Sequence, residues 1–242
     1  MKMEESLPVG KAHVGPSLGK ALRARTERAS AVLSLLSTDY PDARCALEFS
    51  SPEELLVATI LSAQCTDSMV NRVTPVLFRR FPVPNALADA TLAEVQSIIK
   101  QCGYYRQKAR FIRDSCRMLV GEKNGRVPKS LEELTQLPGV ARKTANVVLS
   151  VAFDINEGVA VDTHVARLSR RLGLTRNTDP GKIERDLMKI VGRVEWGMLT
   201  TLLIAHGRAV CHARKAECGR CSLSSICPSA FKVRPRGANK AD

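Results

Sequence analysis

A series of helix start signals along the chain constrains the fold more than any other feature of the sequence. Residues 51–54, 91–94 and 130–133 each place a Ser or Thr two or three positions before a Glu that can bond exposed backbone N–H groups. Asp179-Pro180 opens another helix in the same way. Apolar residues between these signals repeat at intervals of three and four, as in residues 92–99, and sustained period-two alternation is rare. The sequence therefore predicts an all-α fold.

Glycines mark the predicted ends of several helices, because glycine tolerates a positive φ at low cost. The four such positions are Gly103, Gly121, Gly173 and Gly192. Residues 1–18 contain Gly and Pro with few apolar anchors and predict a flexible leader. The basic stretch after Pro228 predicts a tail.

The charge balance is strongly basic. Among 242 residues, 37 Lys and Arg face 24 Asp and Glu, which gives a formal net charge of +13 at pH 7. Such a charge favours association with a polyanion, because binding releases condensed counterions. A basic protein with no nucleic-acid role has the same balance, so charge alone supports a nucleic-acid partner without identifying one.

The apolar runs are too short to cross a membrane. Residues 55–63 and 199–205 fall well below the roughly 20 residues that a spanning helix needs. The N-terminus has Lys2 followed by Glu4 and Glu5, and the segment predicts neither a secretory signal nor a transit peptide. We therefore expect a cytoplasmic protein that is not bound to a membrane.

Four of the eight cysteines crowd one short stretch, with six, two and five residues between them: Cys211, Cys218, Cys221 and Cys227. The cytosol keeps thiols reduced, which makes disulfides the weakest explanation. Four soft ligands in so short a loop predict a metal centre, and the spacing alone allows either zinc or a [4Fe–4S] cluster. The other four cysteines lie among apolar helical patterns and predict core packing: Cys45, Cys65, Cys102 and Cys116.

One segment joins two predicted helices through a tight turn. Residues 137–145 run Leu-Pro-Gly-Val-Ala-Arg-Lys-Thr-Ala, and Pro138-Gly139 interrupts the helical pattern. A turn that leads into a helix N-terminus points backbone N–H groups and the positive end of the dipole outward, which suits a phosphate. The residues alone leave an ordinary corner equally open, and they leave Lys143 as a solvated lysine.

A second segment places a carboxylate at a predicted helix start. Residues 161–165 run Val-Asp-Thr-His-Val, and either Asp162 or Thr163 suits the N-cap position. The residues alone favour a capping role for Asp162. His164 is assigned to packing or capping.

Two further segments end predicted helices with polar or aromatic residues. Residues 61–67 run Leu-Ser-Ala-Gln-Cys-Thr-Asp, where Gln64 suits a polar helix terminus. Residues 102–109 run Cys-Gly-Tyr-Tyr-Arg-Gln-Lys-Ala, where Tyr104 suits a buried core position.

These segments, in this order, resemble the endonuclease III family of helix-hairpin-helix DNA glycosylases and abasic-site lyases. The resemblance covers residues 30–227. The family often has a second glycine where this chain has Ala141, a minor departure because a residue with helical φ and ψ needs no glycine. The resemblance implies two helical domains, one of residues 45–156 with the hairpin and one of residues 19–44 plus 157–242 with the cluster loop and the basic tail.

The resemblance implies that Lys143 is the nucleophile and Asp162 its supporting carboxylate. An amine displaces a damaged base from the sugar C1′ and then keeps the sugar as a Schiff base, which permits strand cleavage. A free lysine is protonated at neutral pH, so the pKa of Lys143 must be lowered. We expect the helix N-terminus, partial burial and adjacent Arg142 to lower it.

The resemblance also implies how DNA is held and opened. The damaged nucleotide must leave the duplex, and Gln64 fills the vacated space. Tyr104 replaces an apolar wedge residue and stacks instead. The remaining assignments are backbone contacts at Leu137, Gly139, Ala141, Arg142, Lys215 and Arg220, and base-pocket positions at Ser62 and Asp67.

The family's cluster loop has the same cysteine spacing, so the resemblance implies a [4Fe–4S] cluster on Cys211, Cys218, Cys221 and Cys227. Its expected role is structural and electrostatic, because base excision requires no electron transfer. The implied substrate is an oxidised or ring-saturated pyrimidine, or an abasic site, in duplex DNA. We expect a monomer that works at the nucleoid.

Two other functions compete with this interpretation. An adenine-mismatch glycosylase of the same superfamily usually lacks the hairpin lysine and has a further C-terminal domain, and Lys143 and the short tail argue against it. A noncatalytic, redox-sensing DNA-binding protein would use the cluster as sensor and Lys143 as a phosphate contact.

Overall fold

The computed structural model describes residues 19–232. The predicted leader, residues 1–18, and residues 233–242 of the predicted tail lie outside this range. Between residues 19 and 232 the chain is helical, and its one β-type pairing is an isolated bridge between Cys211 and Ala216. The predicted all-α fold is confirmed.

Eleven α-helices and two short 3-10 turns make up the described chain. The helices are α1 (Lys20–Asp39), α2 (Pro52–Ser62), α3 (Asp67–Arg80), α4 (Pro84–Asp89), α5 (Leu92–Ile99), α6 (Tyr105–Lys123), α7 (Leu131–Gln136), α8 (Arg142–Phe153), α9 (Thr163–Arg171), α10 (Pro180–Met188) and α11 (Trp196–Ala209), and the 3-10 turns are Arg193–Glu195 and Cys218–Arg220. None of the helices within 19–232 has the length and apolar character needed to span a bilayer.

The described residues divide into two compact units. One unit is Arg44–Ala160, which holds α2 to α8. The other holds the described residues before Arg44 and from Val161 onward, and therefore α1 and α9 to α11. Each unit has its own buried helices.

Helix α2 is the centre of the Arg44–Ala160 unit. Every residue from Leu55 to Leu61 is buried, so the helix is apolar on all sides, as expected of a helix surrounded by others. It packs against α3, α6 and α8. Both the C-terminal end of α2 and the start of α8 carry predicted site residues, so this packing fixes two parts of the site.

In the second unit, Gly207 allows a close approach of α9 to α11. A Cβ at Gly207 would lie 2.7 Å from Nδ1 of His164 and 3.0 Å from Nη2 of Arg167. Arg167 joins the two helices by donating from Nη2 to the carbonyls of Gly207 and Cys211, each at 3.0 Å. His164 is thus held by packing, one of the two roles predicted for it.

The predicted helix starts are confirmed. The side chains of Ser51, Thr91, Ser130 and Asp179 each accept a hydrogen bond from a backbone N–H in the first turn of α2, α5, α7 and α10. One predicted helix end is wrong: α6 continues through Gly121 and ends at Asn124, which adopts φ 53°. Asparagine, like glycine, tolerates the left-handed region at a helix end.

Candidate active site

The segment after α7 forms a tight turn that leads directly into α8. Leu137 ends α7, and the N–H of Val140 donates to the Leu137 carbonyl at 3.1 Å. The hydroxyl of Ser115, on α6, donates to the Pro138 carbonyl at 2.9 Å and fixes the turn to the rest of the unit. The helix, turn and helix predicted from the sequence are therefore present.

Only glycine suits position 139 of this turn. Gly139 has φ +78°, and a Cβ there would lie 2.6 Å from Cδ2 of Phe111 and 2.9 Å from its Cβ. Both the backbone conformation and the space exclude a side chain. The turn is pressed against α6 by this contact.

Helix α8 begins without a capping side chain. The helical φ and ψ expected at Ala141 are wrong: this N-cap residue has extended backbone with φ −82°, a conformation that also needs no glycine. Its side chain carries no oxygen that could accept from the first-turn N–H groups. Arg142 and Lys143 are the first two helical residues, and both are exposed. An N-terminus whose N–H groups are not capped by a side chain is suited to an anion.

The expected partial burial of Lys143 is wrong. Lys143 lies in the first turn of α8 and is exposed.

Asp162 is the N-cap of α9. Its Oδ1 accepts from the backbone N–H of Val165 at 2.7 Å, and the residue is half-buried. The capping role predicted for it is confirmed, and the bond holds the carboxylate in one orientation.

Gln64 and Tyr104 occupy two neighbouring exposed loops. Gln64 follows the end of α2 and has φ 50°, and Tyr104 precedes α6 and has φ 56°. A Cβ at Gly103 would lie 3.2 Å from the Gln64 carbonyl, so the loops touch through their backbones. Tyr104 is 66% exposed, which rules out the buried core tyrosine. A positive φ is uncommon for a residue other than glycine, and here it occurs once in each of the two loops. The surrounding structure must therefore hold both backbones in this conformation.

A buried lysine lies beside these loops, and no feature of the sequence predicts its burial. Lys108 is 4% exposed and donates from Nζ to the Leu61 carbonyl, near the end of α2, at 2.7 Å. Burial lowers the pKa of Lys108, and the nearby thiols of Cys65 and Cys102 act in the opposite direction. Lys108 thus holds the end of α2, from which Gln64 follows.

Two predicted base-pocket residues flank the Gln64 loop. Ser62 is half-buried at the end of α2, and its hydroxyl donates to the Thr59 carbonyl at 2.9 Å. Asp67 is the half-buried first residue of α3, next to the N-cap Thr66. Ser62 and Asp67 therefore lie close together in the chain, one before and one after Gln64.

The four clustered cysteines line one cavity, together with side chains of α9 and α11. These ligand candidates are Cys211, Cys218, Cys221 and Cys227. Burial raises the pKa of the Cys221 and Cys227 thiols, and the neighbouring thiols raise both further. These effects favour the protonated thiols, whereas a bound cation would stabilise the deprotonated thiolates.

Two side chains direct hydrogen bonds at these sulfurs. Arg171 Nη1 donates to Cys211 Sγ at 3.2 Å and to the His212 carbonyl at 2.7 Å. Nε2 of His206 lies 3.4 Å from Cys221 Sγ, while its Nδ1 lies 3.0 Å from the Tyr40 hydroxyl. The donor set and these polar contacts fit a thiolate-bound centre.

The thiols are not arranged around a single ion. Among residues 19–232, no three or more His, Cys, Asp or Glu side chains are placed to hold one metal ion. Zinc requires its thiolates at about 2.3 Å from one point. A cluster of four irons takes one thiolate per iron and therefore spreads its ligands more widely.

The two predicted phosphate contacts of the cluster loop differ in their surroundings. Arg220 pairs with the Glu217 carboxylate and donates to the Ala209 carbonyl at 2.6 Å. Lys215 is exposed. Arg220 therefore has a structural role within the loop, which the sequence did not indicate.

Comparison with known proteins assigns the chain to a family. Residues 57–193 match the HhH-GPD superfamily of base excision DNA repair proteins. The chain is 54% identical over 214 residues to endonuclease III of Synechocystis sp., covering 88% of this chain and 98% of that protein. It is 40% identical over 202 residues to endonuclease III of Escherichia coli K12, covering 84% and 95% respectively.

Solved structures agree with this assignment. A trapped endonuclease III–DNA covalent intermediate superposes with a TM-score of 0.81 and 42% identity, covering 86% of this chain and 97% of that one. A thermostable thymine-DNA glycosylase shares the fold with a TM-score of 0.74 at 22% identity, covering 87% and 98%. This chain therefore belongs to the endonuclease III family of base excision repair DNA glycosylases and abasic-site lyases, within the HhH-GPD superfamily.

Proposed function

We propose that this enzyme excises oxidised or ring-saturated pyrimidines from duplex DNA, with Lys143 as nucleophile, and then cleaves the strand at the abasic site. The observation that carries the proposal is the position of Lys143, exposed in the first turn of a helix that no side chain caps. If the N-terminus of α8 binds a backbone phosphate, the amine of Lys143 lies beside the sugar that is attached to that phosphate.

The chemistry follows from an amine nucleophile. The neutral amine of Lys143 attacks C1′ and the glycosidic bond breaks, so the base departs and takes up a proton. Loss of a proton from the bound nitrogen and opening of the sugar ring give a Schiff base. Removal of a C2′ proton then expels the 3′ phosphate by β-elimination, and water releases the lysine.

Asp162 stabilises the positive charge that develops on the sugar. Its hydrogen bond from the Val165 N–H fixes the carboxylate before substrate arrives, so no reorganisation is needed during the reaction. The cap and the catalytic role are compatible, since Oδ1 accepts the hydrogen bond and the second oxygen carries no part of it.

The hairpin holds the DNA backbone. We assign phosphate contacts to the turn and first helical residues: Leu137, Gly139, Ala141 and Arg142. The uncapped N-terminus of α8 and the net charge of +13 support this assignment. Lys215, exposed on the cysteine loop, adds a second contact.

Gln64 and Tyr104 open the duplex at the lesion. Both are exposed, and their loops touch, so the two side chains enter the stack close together. Tyr104 stacks on a neighbouring base, and Ser62 and Asp67 contact the extruded pyrimidine.

The four clustered cysteines hold a [4Fe–4S] cluster, a common partner for thiolates that surround a centre larger than one ion. When bound, the cluster would give structural support to the loop that carries Lys215. An enzyme with this substrate works on the chromosome, and we place it at the nucleoid as a monomer.

A duplex with one ring-saturated pyrimidine tests the proposal. The wild type is expected to release the base and leave an unsaturated aldehyde at the 3′ end of the cleaved strand. Lys143→Ala should do neither, while Arg142→Ala, one residue earlier on the same exposed turn, should keep both products at reduced affinity. Strand cleavage by Lys143→Ala would contradict the assignment.

A further inference from the structure

Two thiols outside the cysteine loop meet beneath the exposed loops of Gln64 and Tyr104. Cys65 follows Gln64 directly, and Cys102 directly precedes Gly103. A Cβ added at Gly103 would lie 3.2 Å from the Gln64 carbonyl, so the two loops are close together. The two thiols interact electrostatically, and both pack against the core of the Arg44–Ala160 unit. The sequence predicted only core packing for them.

A buried cation lies beside this pair. Lys108 interacts electrostatically with both thiols while its Nζ donates to the Leu61 carbonyl. Burial raises the pKa of the Cys102 thiol to about 11, and Lys108 acts to lower it. Cys102 is 1% exposed, whereas Cys65 is half-buried, so an oxidant reaches Cys65 first. A partly exposed thiol beside a cation and a second thiol is the usual setting of an oxidisable cysteine.

We propose that Cys65 and Cys102 form an oxidation site, at which hydrogen peroxide converts the two thiols into a disulfide that links the Gln64 loop to the Tyr104 loop. The pairing is local, because the backbones of the two loops already touch. It is also separate from the cluster ligands, which belong to the other compact unit.

The reaction balances with the peroxide as the oxidant. The Cys65 thiolate attacks one peroxide oxygen, the O–O bond breaks, and the leaving hydroxide takes up a proton to give water and a sulfenic acid on Cys65. Cys102 sulfur then attacks the Cys65 sulfur, the S–O bond breaks, and the second hydroxide leaves as water with the Cys102 proton. The two thiols lose two electrons together, and one peroxide becomes two waters. Lys108 lies beside both sulfurs and interacts electrostatically with each of them.

The other thiols of the same unit lack these features. Cys116 is 3% exposed, and burial raises the pKa of its thiol to about 12, which disfavours the thiolate. Cys45 is half-buried and belongs to the segment before α2, which is neither the Gln64 loop nor the Tyr104 loop. Cys45→Ser is therefore a matched control for Cys65→Ser.

The disulfide has a consequence that rests on the proposed function. Gln64 and Tyr104 are both held at positive φ, and a covalent bond between their flanking residues restricts any change in either loop. If the two side chains enter the duplex to replace the extruded base, the oxidised enzyme should excise more slowly. Reduction should restore the rate.

The test treats the cluster-loaded, full-length enzyme with hydrogen peroxide, blocks remaining thiols, and maps peptides by mass spectrometry without reduction. A peptide pair joined through Cys65 and Cys102 is expected in the wild type and in Cys45→Ser, and it should be absent from Cys65→Ser and Cys102→Ser. Absence of the linked pair from the wild type, or linkage of Cys65 to a cluster-loop cysteine instead, would overturn the site.

Excision rates separate this proposal from the proposed function. Oxidised wild type should excise a ring-saturated pyrimidine at least about fivefold more slowly than reduced wild type, because small displacements of positioning groups lower the reaction rate. The excision rate of Cys65→Ser should not change on treatment with peroxide. An unchanged rate in protein shown to carry the disulfide would overturn the effect on the loops. A disulfide that forms in a protein with no excision activity when reduced would instead refute the proposed function and leave the oxidation site standing.

Discussion

Gly139 lies so close to Phe111 that a single added carbon would stand 2.6 Å from the Phe111 ring. This contact presses the hairpin turn onto α6 and sets where α8 begins. The position of Lys143, the proposed nucleophile, is thus decided by a glycine four residues earlier and an aromatic ring on another helix.

Gly139→Ala is expected to destabilise the enzyme by about 1–3 kcal/mol, because the added carbon overlaps Phe111 and the backbone is at φ +78°. Thermal unfolding measures the loss, and DNA affinity should fall with it because the turn shifts. Ala141→Gly is the control: position 141 has φ −82°, and glycine is acceptable at an N-cap, so the Tm should change little. Equal melting temperatures for Gly139→Ala and the wild type would refute the contact.

Asp162→Asn should lower turnover by roughly 100-fold or more while leaving DNA affinity nearly unchanged, because it removes charge from the transition state and keeps the cap. Asp179→Asn is a matched control, since Asp179 caps α10 through the Lys182 N–H at 2.9 Å in the same way. Single-turnover excision and equilibrium binding separate the two effects. Equal losses of turnover and affinity would argue against the catalytic role.

His164 should make stability depend on pH near neutrality. Burial lowers the pKa of His164 below its ordinary value of 6.5, helped by Arg167 and Arg208 and opposed by Asp162. The folded state therefore binds fewer protons than the unfolded state between the two pKa values, and stability falls as pH drops from 6.5 through the folded pKa.

Thermal unfolding of His164→Gln between about pH 7.5 and 5.5 checks this sign. The variant should lose less stability on acidification than the wild type, whatever its stability at pH 7. His206, which is buried, is present in both proteins and cancels in the comparison. A steeper loss in the variant would show that His164 is charged in the folded state.

Lys215→Ala should weaken DNA binding on any sequence and reduce the slope of log affinity against log salt by about 0.9, the value for one phosphate contact. Arg220→Ala should change the slope less and the stability of the cysteine loop more, because Arg220 is engaged with Glu217 and the Ala209 carbonyl. Binding titrations at several salt concentrations distinguish the two. An unchanged slope for Lys215→Ala would remove it from the interface.

The sequence predicted those features that depend on local chemistry. N-caps at Ser51, Thr91 and Asp162 follow from hydrogen bonds within one turn of the chain, and all three are present. The turn at Pro138-Gly139 is equally local. The order of these motifs was enough to indicate the family.

Features that depend on distant packing were missed. Lys108 belongs to a helix with an ordinary amphipathic pattern, and its burial follows from the Leu61 carbonyl, 47 residues earlier in the chain. Gly121 suggested a helix end, but α6 continues to Lys123 before Asn124 ends it. The sequence predicts a DNA contact for Arg220, because sequence alone does not distinguish a basic side chain paired within its own loop from one that faces a phosphate.

The most direct measurement is borohydride reduction during reaction with a duplex that contains a single oxidised pyrimidine, followed by peptide mapping of the covalent product. The DNA remnant should be attached to Lys143, and Asp162→Asn should give the same attachment more slowly. Attachment to any other amine, or undiminished trapping by Lys143→Ala, would contradict the account.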